Sequence, residues 1–284
     1  QETYIATETG GTALYSVGAG GQTVQDAVVN SIVGEIESTF LVQGSHVYAD
    51  NGTYSVQVTL RHDDRPDVIV TSAATVGNVS PGLSLGPSRT AGEGEVVALG
   101  PAAFTDPGFD CPAAGTREDF TATVAWGDGT PPATALVEEI SGGPGMPTRG
   151  TLAASHVYAD EGRYQVAVRL WDDDGGWVQS FFDVYVDNLP PLIDPIPDLT
   201  VGEGAEASLP PASFSDPGVL DTHTATIDWG DGSTEAAGAV SEAGGRGTVA
   251  GSHAYADEGT YQVRLTVFDN DGGSAESFFD IVVV

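Results

Sequence analysis

The chain has 284 residues, and its 41 Asp and Glu residues against 9 Lys and Arg residues give a formal net charge of −32 at pH 7. This charge disfavours nucleic acid and anionic membrane surfaces as partners, because phosphate groups are bound by neutralising basic side chains. No run of 18 apolar residues occurs, so no membrane-inserted helix is expected. The single cysteine, Cys111, excludes an intrachain disulfide.

A ten-residue phrase, Ser-His-x-Tyr-Ala-Asp-x-Gly-x-Tyr, occurs three times in the chain. It begins at Ser45, at Ser155 and at Ser252. Repeats spaced by about one small domain of ~100 residues indicate tandem modules rather than one large enzyme. We therefore divide the chain into three predicted modules, residues 1–79, 80–188 and 189–284.

The first predicted module carries a clear strand signal only from its phrase onward. Apolar residues alternate with polar ones from Tyr54 to Leu60, which is typical of a half-buried strand. The preceding Asp-x-Gly-x-Tyr predicts a tight corner in which glycine supplies the open backbone angle and the tyrosine hydroxyl anchors the turn. Immunoglobulin-like sandwiches use such a tyrosine corner at the start of strand F.

The second and third predicted modules share a longer series of elements in the same order. Short strands separated by turn sequences at this spacing predict an all-β sandwich. In chain order the pairs are the Phe-x-Asp-Pro-Gly segments at 104–108 and 214–218, the strands at 121–126 and 224–229, the Gly-Asp-Gly turns at 127–129 and 230–232, the alternating strands at 164–170 and 261–267, the acidic turns at 172–176 and 269–273, and the closing strands at 181–186 and 278–284.

This combination resembles the PKD (polycystic-kidney-disease type) domain, especially the versions found in bacterial surface proteins. The residues that carry the resemblance are Trp-Gly-Asp-Gly-Thr/Ser, the repeated phrase and Asp-x-Asp-Gly-Gly, and they cover residues 80–284. The first module departs from the pattern at 16–23, where the signature turn is missing, and at 61–66. The resemblance implies tandem Ig-like (PKD-type) β-sandwich modules, arranged as beads on a string.

The first module is also shorter than the others ahead of its repeated histidine, by enough residues for one or two strands. Three explanations stay open. The chain is a fragment cut inside a module, or the first module has a divergent and shorter arrangement, or its exposed edge is completed by a strand from another subunit through β-strand addition. The β-prone end of the chain, 281–284, is expected to be an ordinary last strand rather than a donor.

Acidic residues concentrate in the segments that gather at one end of an Ig-like sandwich, namely the N-terminal linker, the B–C loop and the F–G loop. Converging oxygen ligands suit Ca²⁺, which takes six to eight of them, and the resemblance implies a calcium site at this end. The candidate ligands are Asp187, Asn188, Asp216, Asp221, Asp269, Asn270 and Asp271 at the third module, and Asn78, Asp106, Asp110, Asp172, Asp173 and Asp174 at the second.

The alternative interpretation of these acids is a solvated surface, because Asp and Asn also favour turns. The turns at 93–95 and 203–206 are predicted at the opposite end of their modules, facing 160–161 and 257–258. There a solvated surface is favoured over a second cation. The twelve-residue EF-hand pattern does not occur.

No catalytic constellation is evident. The histidines of the repeated phrase recur in three modules, which favours a structural role, and no zinc-protease or phosphate-binding motif occurs. Trp126 and Trp229 are expected in the core. Trp171 and Trp177 flank the acidic turn of the second module only, and they are candidates for an exposed aromatic contact.

These observations predict a secreted, non-enzymatic structural protein of the cell surface. Its role would be that of a semi-rigid, calcium-stabilised stalk, surface-layer or filament component. The expected partners are other copies of the chain or other surface proteins, and possible partners include polysaccharide. The alternative is a set of carbohydrate- or protein-binding accessory modules of a secreted hydrolase or adhesin, which an exposed aromatic strip on one sheet would favour.

Overall fold

The computed structural model describes residues 3–7, 16–17, 24–25, 27–28, 41–62 and 65–284, and it shows strands without helices in these ranges. The strands of the first predicted module are β1 (Thr3–Thr7), β2 (Ser16–Val17), β3 (Val24–Gln25), β4 (Ala27–Val28), β5 (Leu41–Val42), β6 (Gly52–His62) and β7 (Arg65–Val76). The remaining strands form two β-sandwiches, which confirms the predicted all-β, Ig-like fold.

The middle sandwich is built from ten strands between residues 82 and 187. They are β8 (Gly82–Leu85), β9 (Arg89–Gly92), β10 (Val96–Ala98), β11 (Ala102–Asp106), β12 (Phe120–Ala125), β13 (Ala133–Ile140), β14 (Thr148–Ala153), β15 (Ser155–Val157), β16 (Gly162–Asp172) and β17 (Trp177–Asp187).

The last sandwich repeats this series between residues 192 and 283. Its strands are β18 (Leu192–Ile193), β19 (Leu199–Val201), β20 (Glu206–Ser208), β21 (Ala212–Ser215), β22 (Thr224–Asp228), β23 (Ala236–Glu242), β24 (Arg246–Ala250), β25 (Ser252–Ala254), β26 (Gly259–Phe268) and β27 (Ser274–Val283). The chain end thus lies in an ordinary strand that pairs with β26 and with β19, as expected.

Eight strands of each sandwich form one curled sheet whose two layers share a strand, and the other two strands pair separately, β10 with β15 and β20 with β25. In the middle sandwich the order is β8-β11-β14-β13-β12-β16-β17-β9, and the last sandwich has the equivalent order. The start of β13 pairs with β12 and its end pairs with β14, so this strand passes from one layer to the other. The edge strand β9 runs parallel to β17.

The core lies between the two layers because the inward positions of the strands are apolar. Along β16, Val166, Val168 and Leu170 are each 0% exposed, and burial of such a side chain stabilises the fold by about 1.5–3 kcal/mol. Trp126 and Trp229 are both buried, as the sequence predicted.

The repeated phrase is a structural unit that ties two strands to the signature turn. Tyr158 donates its hydroxyl to the carbonyl of Trp126 at 2.9 Å, and Tyr164 closes the predicted corner on the carbonyl of Asp160 at 3.0 Å. The His156 ring stacks on Trp126 with centroids 5.1 Å apart, and its Nε2 lies 2.6 Å from Asp128 Oδ2. The last sandwich repeats these contacts, which confirms the structural role of this histidine.

In the described part of the first module, β1, β6 and β7 form a three-stranded sheet in the order β1-β6-β7, while β2 pairs with β3 and β4 with β5. Tyr54 makes the tyrosine corner here too, donating to Asp50 O at 2.8 Å. Unlike β12 beside β16, β1 runs parallel to its neighbour β6, with Thr3 opposite Gln57. Most of the predicted missing front lies outside the described residues, as do positions 18–23 and 63–64 of the two departing segments.

Candidate metal centres at the sandwich junctions

Two groups of three buried carboxylates lie at equivalent places, one at the leading end of each sandwich. We call them the inner groups. The three ligand oxygens of each group lie within 4.8 Å of one another, and all six side chains are buried. The inner group of the middle sandwich is Asp106, Glu118 and Asp172, and that of the last sandwich is Asp216, Asp221 and Asp269.

One aspartate in each inner group organises the acidic turn after the long strand. Asp269 Oδ1 accepts hydrogen bonds from the backbone N–H groups of Asp271 at 2.9 Å and Gly273 at 2.7 Å. Its other oxygen accepts from the Asn188 side chain at 3.1 Å, which fixes the linker against this turn. Asp172 is held in the same way by its own turn and by the Asn78 side chain at 2.9 Å.

The second aspartate of each group ends the strand before the Asp-Pro-Gly segment. Asp216 Oδ1 accepts from the Gly218 N–H at 2.8 Å, and Asp106 Oδ1 accepts from the Gly108 N–H at 2.7 Å. These short loops bend back on their own aspartate, a common role of Asp in turns. The remaining oxygen of Asp106 is buried without a donor among the described residues.

The third carboxylate of each inner group, Asp221 or Glu118, has the fewest hydrogen-bond donors. Both carboxylate oxygens of Asp221 are buried without a hydrogen-bond donor in the described part of the chain, and so is Glu118 Oε1. Buried carboxylates are costly unless they are paired, hydrogen-bonded or bound to a metal. A methyl group on Gly218 would collide with Asp221 Oδ2 and with Glu93 Oε2, so this glycine leaves room for the two carboxylates.

Two further groups, which we call the spanning groups, combine residues of consecutive units. Glu93, Asp160 and Glu161 of the middle sandwich meet Asp221 of the last sandwich. At the preceding junction, Asp50 of the first module meets Glu118 and Asp174 of the middle sandwich. In both groups the ligand oxygens lie within 4.8 Å of one another.

Backbone contacts hold these units together where the spanning groups form. The N–H of Leu220 donates to the carbonyl of Ala159 at 3.3 Å, and the N–H of Phe109 donates to the carbonyl of Ala49 at 3.0 Å. Glu93 lies in the turn after β9, and its Oε1 accepts from the N–H of Leu189 in the linker at 2.8 Å. The repeated phrase therefore supplies both a structural corner and the tip that faces the next unit.

Burial and the charges of neighbouring carboxylates raise the pKa values of several acids at both junctions. Burial, opposed by the Leu189 hydrogen bond and reinforced by the nearby charge of Asp221, raises the pKa of Glu93 to about 7. Burial and the charge of Asp106 raise the pKa of Glu118 to about 8. Burial and the charge of Asp216 raise the pKa of Asp221 to about 6. A bound cation would favour the ionised form of each.

The other predicted ligands take different places. Asp110 Oδ1 accepts from the Glu118 N–H, Asp173 Oδ1 from the Asp119 N–H, and Asn270 Oδ1 from the Thr222 N–H, so these side chains brace the loops. Asp271 approaches Glu161 from the next sandwich. Asp187 is exposed, and its carbonyl accepts from the Glu93 N–H.

Sequence reasoning missed Glu118 as a member of the inner group and placed Glu93 on a solvated surface, whereas Glu93 is 0% exposed. The expectation of a solvated turn was wrong for Glu93, because its side chain lies against the Asp-Pro-Gly loop of the next sandwich, whereas Glu95 is exposed as expected. Glu203, Asp257 and Glu258, the equivalent residues of the last sandwich, are exposed as expected. An alignment of the two modules would have identified Glu118. It lies three residues before Thr121, just as Asp221 lies three residues before the equivalent Thr224.

The outer face of the middle sandwich carries a line of aromatic side chains along β17. Trp177, Phe181 and Tyr185 are exposed to 54%, 53% and 42%. The Arg169 guanidinium lies 5.6 Å from the Trp171 ring centre and 5.1 Å from that of Trp177. The two predicted tryptophans thus belong to a longer surface, which we call the aromatic strip: Trp171, Trp177, Phe181, Tyr185 and Arg169.

No helix of the described chain is long and apolar enough to cross a membrane. The solved structures to which the chain is similar include a protocadherin and a Dpr–DIP complex. The protocadherin GammaB4 extracellular domain is 15% identical, with 100% of this chain and 48% of that chain covered and a TM-score of 0.31. A Dpr2 Ig1-Ig2 complex with DIP-Theta Ig1-Ig3 is 15% identical, with coverages of 92% and 85% and a TM-score of 0.35.

The chain therefore spans about half the length of the protocadherin structure. No curated protein matches the chain. The family model of the PKD domain matches residues 188–284, in agreement with the family that the motifs indicated. Residues 188–284 of this chain are therefore a PKD domain.

Proposed function

We propose that the chain is a non-enzymatic structural protein of the extracellular surface, a semi-rigid stalk, surface-layer or filament component whose junctions are stabilised by calcium. The observation that carries the proposal is the pair of inner groups. Each gathers three buried carboxylates within 4.8 Å and includes oxygens without a hydrogen-bond donor in the described chain.

The donor set fits Ca²⁺ better than other common metals. Carboxylate oxygens from separate loops, with the Asn78 or Asn188 side chain nearby, form a hard oxygen environment of the kind that Ca²⁺ prefers. Structural zinc sites use Cys and His ligands, and Mg²⁺ usually keeps several waters rather than occupying an all-protein cage. Asp216, Asp221 and Asp269 would hold the ion at the last sandwich.

Calcium would act here by making the junctions between units stiffer and the sandwiches more stable. Among the described residues, no arginine pairs with the inner groups, and of their members His223 pairs with Asp216 only, so the other carboxylates repel one another without a cation. A cation would remove this repulsion and fix the linker, because Asn78 and Asn188 lie beside the ligands. A ligand present at 100 times its dissociation constant adds about 2.7 kcal/mol to stability.

Thermal unfolding with and without a chelator tests this proposal. We expect calcium at about 100 times its dissociation constant to raise the unfolding temperature by about 10–20 °C, since 1 kcal/mol corresponds to about 4–8 °C for a domain of this size. Size analysis of the same samples shows whether the shift accompanies assembly. An unchanged unfolding temperature would reject the calcium site.

Assembly by strand addition is part of the proposal, and the edge of the first module supports it. In the two sandwiches the last long strand has a parallel partner on its outer edge, β9 on β17 and β19 on β27. In the described part of the first module, β7 pairs only with β6, and Val68 and Ile69 on it are exposed to 47% and 57%. The proposed occupant is a strand from a second copy of the chain.

Concentration-dependent size analysis tests strand addition. A donor strand on β7 predicts oligomers that Val68→Lys with Ile69→Lys disperses, because charge on an edge strand opposes pairing. The same pair of lysines at Leu136 and Ile140, exposed on β13, is the control. A chain that stays monomeric at all concentrations contradicts this part of the proposal.

The aromatic strip favours a second candidate function, binding of a polysaccharide chain. Phe181 lies four positions after Trp177, and Tyr185 lies four positions after Phe181, which places the rings about 13 Å apart along the strand. A linear series of exposed rings matches an extended ligand, because sugar rings stack their apolar faces on aromatic side chains. Exposed apolar patches of this kind often mark binding sites.

Co-sedimentation with insoluble polysaccharides tests the second candidate. Trp177→Ser with Tyr185→Ser should abolish binding, whereas Phe278→Ser on the outer face of the last sandwich should not. Without binding to cellulose, chitin or cell-wall polysaccharide the candidate fails. Loss of self-association in the double variant would instead assign the strip to contact between copies.

A further inference from the structure

We propose that each junction holds two calcium ions joined by one bridging carboxylate, Asp221 at the second junction and Glu118 at the first. The inner ion is held within the later unit alone. The outer ion lies in the spanning group and is held jointly by the two units. This inference rests on the proposed function for the inner ion and for its identity as calcium.

The first support is that inner and spanning groups share a residue at both junctions. Asp221 belongs with Asp216 and Asp269, and also with Glu93, Asp160 and Glu161. Glu118 belongs with Asp106 and Asp172, and also with Asp50 and Asp174. These two residues occupy equivalent positions before equivalent strands, so the sharing is a repeated design of the fold.

The second support is that the shared side chain is buried and lacks hydrogen-bond donors. Asp221 is 7% exposed, and neither of its oxygens has a hydrogen-bond donor among the described residues. Two free oxygens on one carboxylate suit a bridge between two cations. Glu118, at 4% exposure, likewise keeps Oε1 without a donor.

The third support comes from the side of the preceding unit. Glu93 is 0% exposed, its Oε2 has no donor in the described chain, and this oxygen lies with Asp221 Oδ2 beside Gly218. Glu161 Oε2 is also buried without a donor. Carboxylates of two sandwiches therefore face one another with free oxygens on both sides, which a single ion inside the last sandwich does not explain.

The two junctions differ in the number of carboxylates offered to the outer ion. The second junction has four, whereas the first has three and carries Asn51 where the middle sandwich has Glu161. Calcium affinity rises with ligand charge in sites of this type. The outer ion at the second junction is therefore bound more tightly than the one at the first.

The outer ion couples ion binding to the orientation of the units. Its ligands belong to two consecutive units, so they come together only when the repeated phrase of one unit contacts the loops at the leading end of the next unit. Binding of this ion and ordering of the junction are then linked, and each favours the other. Calcium concentration would thus set the stiffness of the chain and not only the stability of each sandwich.

The test counts bound calcium on the full chain by native mass spectrometry, with the fold of each variant checked by circular dichroism. Glu93→Gln with Asp160→Asn and Glu161→Gln should bind one ion fewer than the unmodified chain, since only the outer site is lost. Asp221→Asn should bind two ions fewer, because it removes the bridge. Asp269→Asn keeps the oxygen that caps its turn and should lose the inner ion.

The matched control is the same triple change at the other end of the last sandwich, Glu203→Gln with Asp257→Asn and Glu258→Gln. These residues have the same local fold but are exposed, so the ion count should not change. If the first triple variant keeps all ions, or if Asp221→Asn loses only one, the two-ion centre is wrong. A chain that binds no ion at all would instead reject the proposed function.

Discussion

Glu93 of the middle sandwich and Asp221 of the last sandwich hold carboxylate oxygens within 4.8 Å of each other across the junction, although both side chains are buried. Two carboxylates at this distance cannot both ionise at low cost without a cation. The pKa of Glu93 is raised to about 7 and that of Asp221 to about 6, in both cases first by burial. This relationship makes the junction sensitive to cations and to pH.

Without calcium, the free energy of unfolding should therefore fall as pH rises, whereas acids paired in the usual way make it increase with pH. Acids whose pKa is raised by folding stabilise the folded chain below their unfolded pKa and lose that contribution as pH rises through the folded value. For Glu93 and Glu118 this window runs from 4.5 to about 7 and from 4.5 to about 8. We expect calcium-stripped protein to lose about 2 kcal/mol of stability or more between about pH 5 and pH 8.

Urea unfolding at a series of pH values measures this loss. Saturating calcium should remove most of the pH dependence, because the bound ion favours ionised ligands. Glu118→Gln should flatten the curve of the stripped protein. A stripped chain that gains stability between pH 5 and pH 8 would contradict the assignment.

Gly218→Ala should weaken calcium binding at the second junction. A methyl group at this position collides with Asp221 Oδ2 and Glu93 Oε2, so the carboxylates must move apart. We expect a loss of about tenfold or more in affinity, which corresponds to about 1.4 kcal/mol. Calcium titration followed by calorimetry measures the change.

The control for this substitution is Gly143→Ala, since nothing lies within 4 Å of a methyl group placed there. It should leave the titration unchanged. Equal effects of the two substitutions would mean that the crowding at Gly218 has no bearing on ion binding.

His223→Phe should make the last sandwich more dependent on calcium. The His223 side chain is fully buried, with Nε2 3.1 Å from Asp216 Oδ2 and Nδ1 2.7 Å from Glu242 Oε2. The middle sandwich has Phe120 at this place, and each ring packs at 4.7 Å on the preceding strand's phenylalanine, so the shape is compatible. Without the imidazole, the charge of Asp216 is stabilised only by the Gly218 hydrogen bond and by a bound metal.

The measurement is the difference in unfolding temperature between calcium and chelator. We expect this difference to grow in His223→Phe relative to the unmodified chain. Phe120→His, the reverse change in the middle sandwich, should reduce it. A smaller difference in His223→Phe would show that the histidine does not substitute for a cation.

The contact of His253 with Asp231 should stabilise the last sandwich independently of calcium. Nε2 lies 2.7 Å from Asp231 Oδ2, and the ring stacks on Trp229 at 5.3 Å. A charge-assisted hydrogen bond of this type contributes about 1.5–3 kcal/mol. A double-mutant cycle of His253→Ala and Asp231→Ala, read by urea unfolding, should give a coupling energy above about 1 kcal/mol. Additive effects would contradict the pairing.

The sequence predicted the strands well because their signal is local. Alternation from Tyr164 to Leu170 and from Tyr261 to Val267 reflects a burial pattern that the two-residue period of a strand imposes. The inner groups were predicted in part for the same reason. Asp106, Asp172, Asp216 and Asp269 lie beside turn glycines, and loop clustering at one end of a sandwich is a property of the fold.

The spanning groups could not be predicted in this way. Whether Glu93 is buried depends on how the next sandwich docks, and no periodicity in either unit encodes that orientation. The turn at 93–95 and the turn at 203–206 have similar sequences, yet Glu93 is buried and Glu203 is exposed. The difference in burial between Glu93 and Glu203 therefore comes from the contact with the next sandwich and not from the local sequence.

The most direct measurement of the central claim is the distance distribution between two spin labels placed on either side of the second junction. Cys111→Ser with Thr134→Cys and Ala239→Cys places labels at exposed sites in the middle and last sandwiches. We predict a narrow distribution in calcium and a broad one in chelator, with Glu93→Gln, Asp160→Asn and Glu161→Gln broad in both. Equal widths with and without calcium in the unmodified junction would contradict a calcium-stiffened chain.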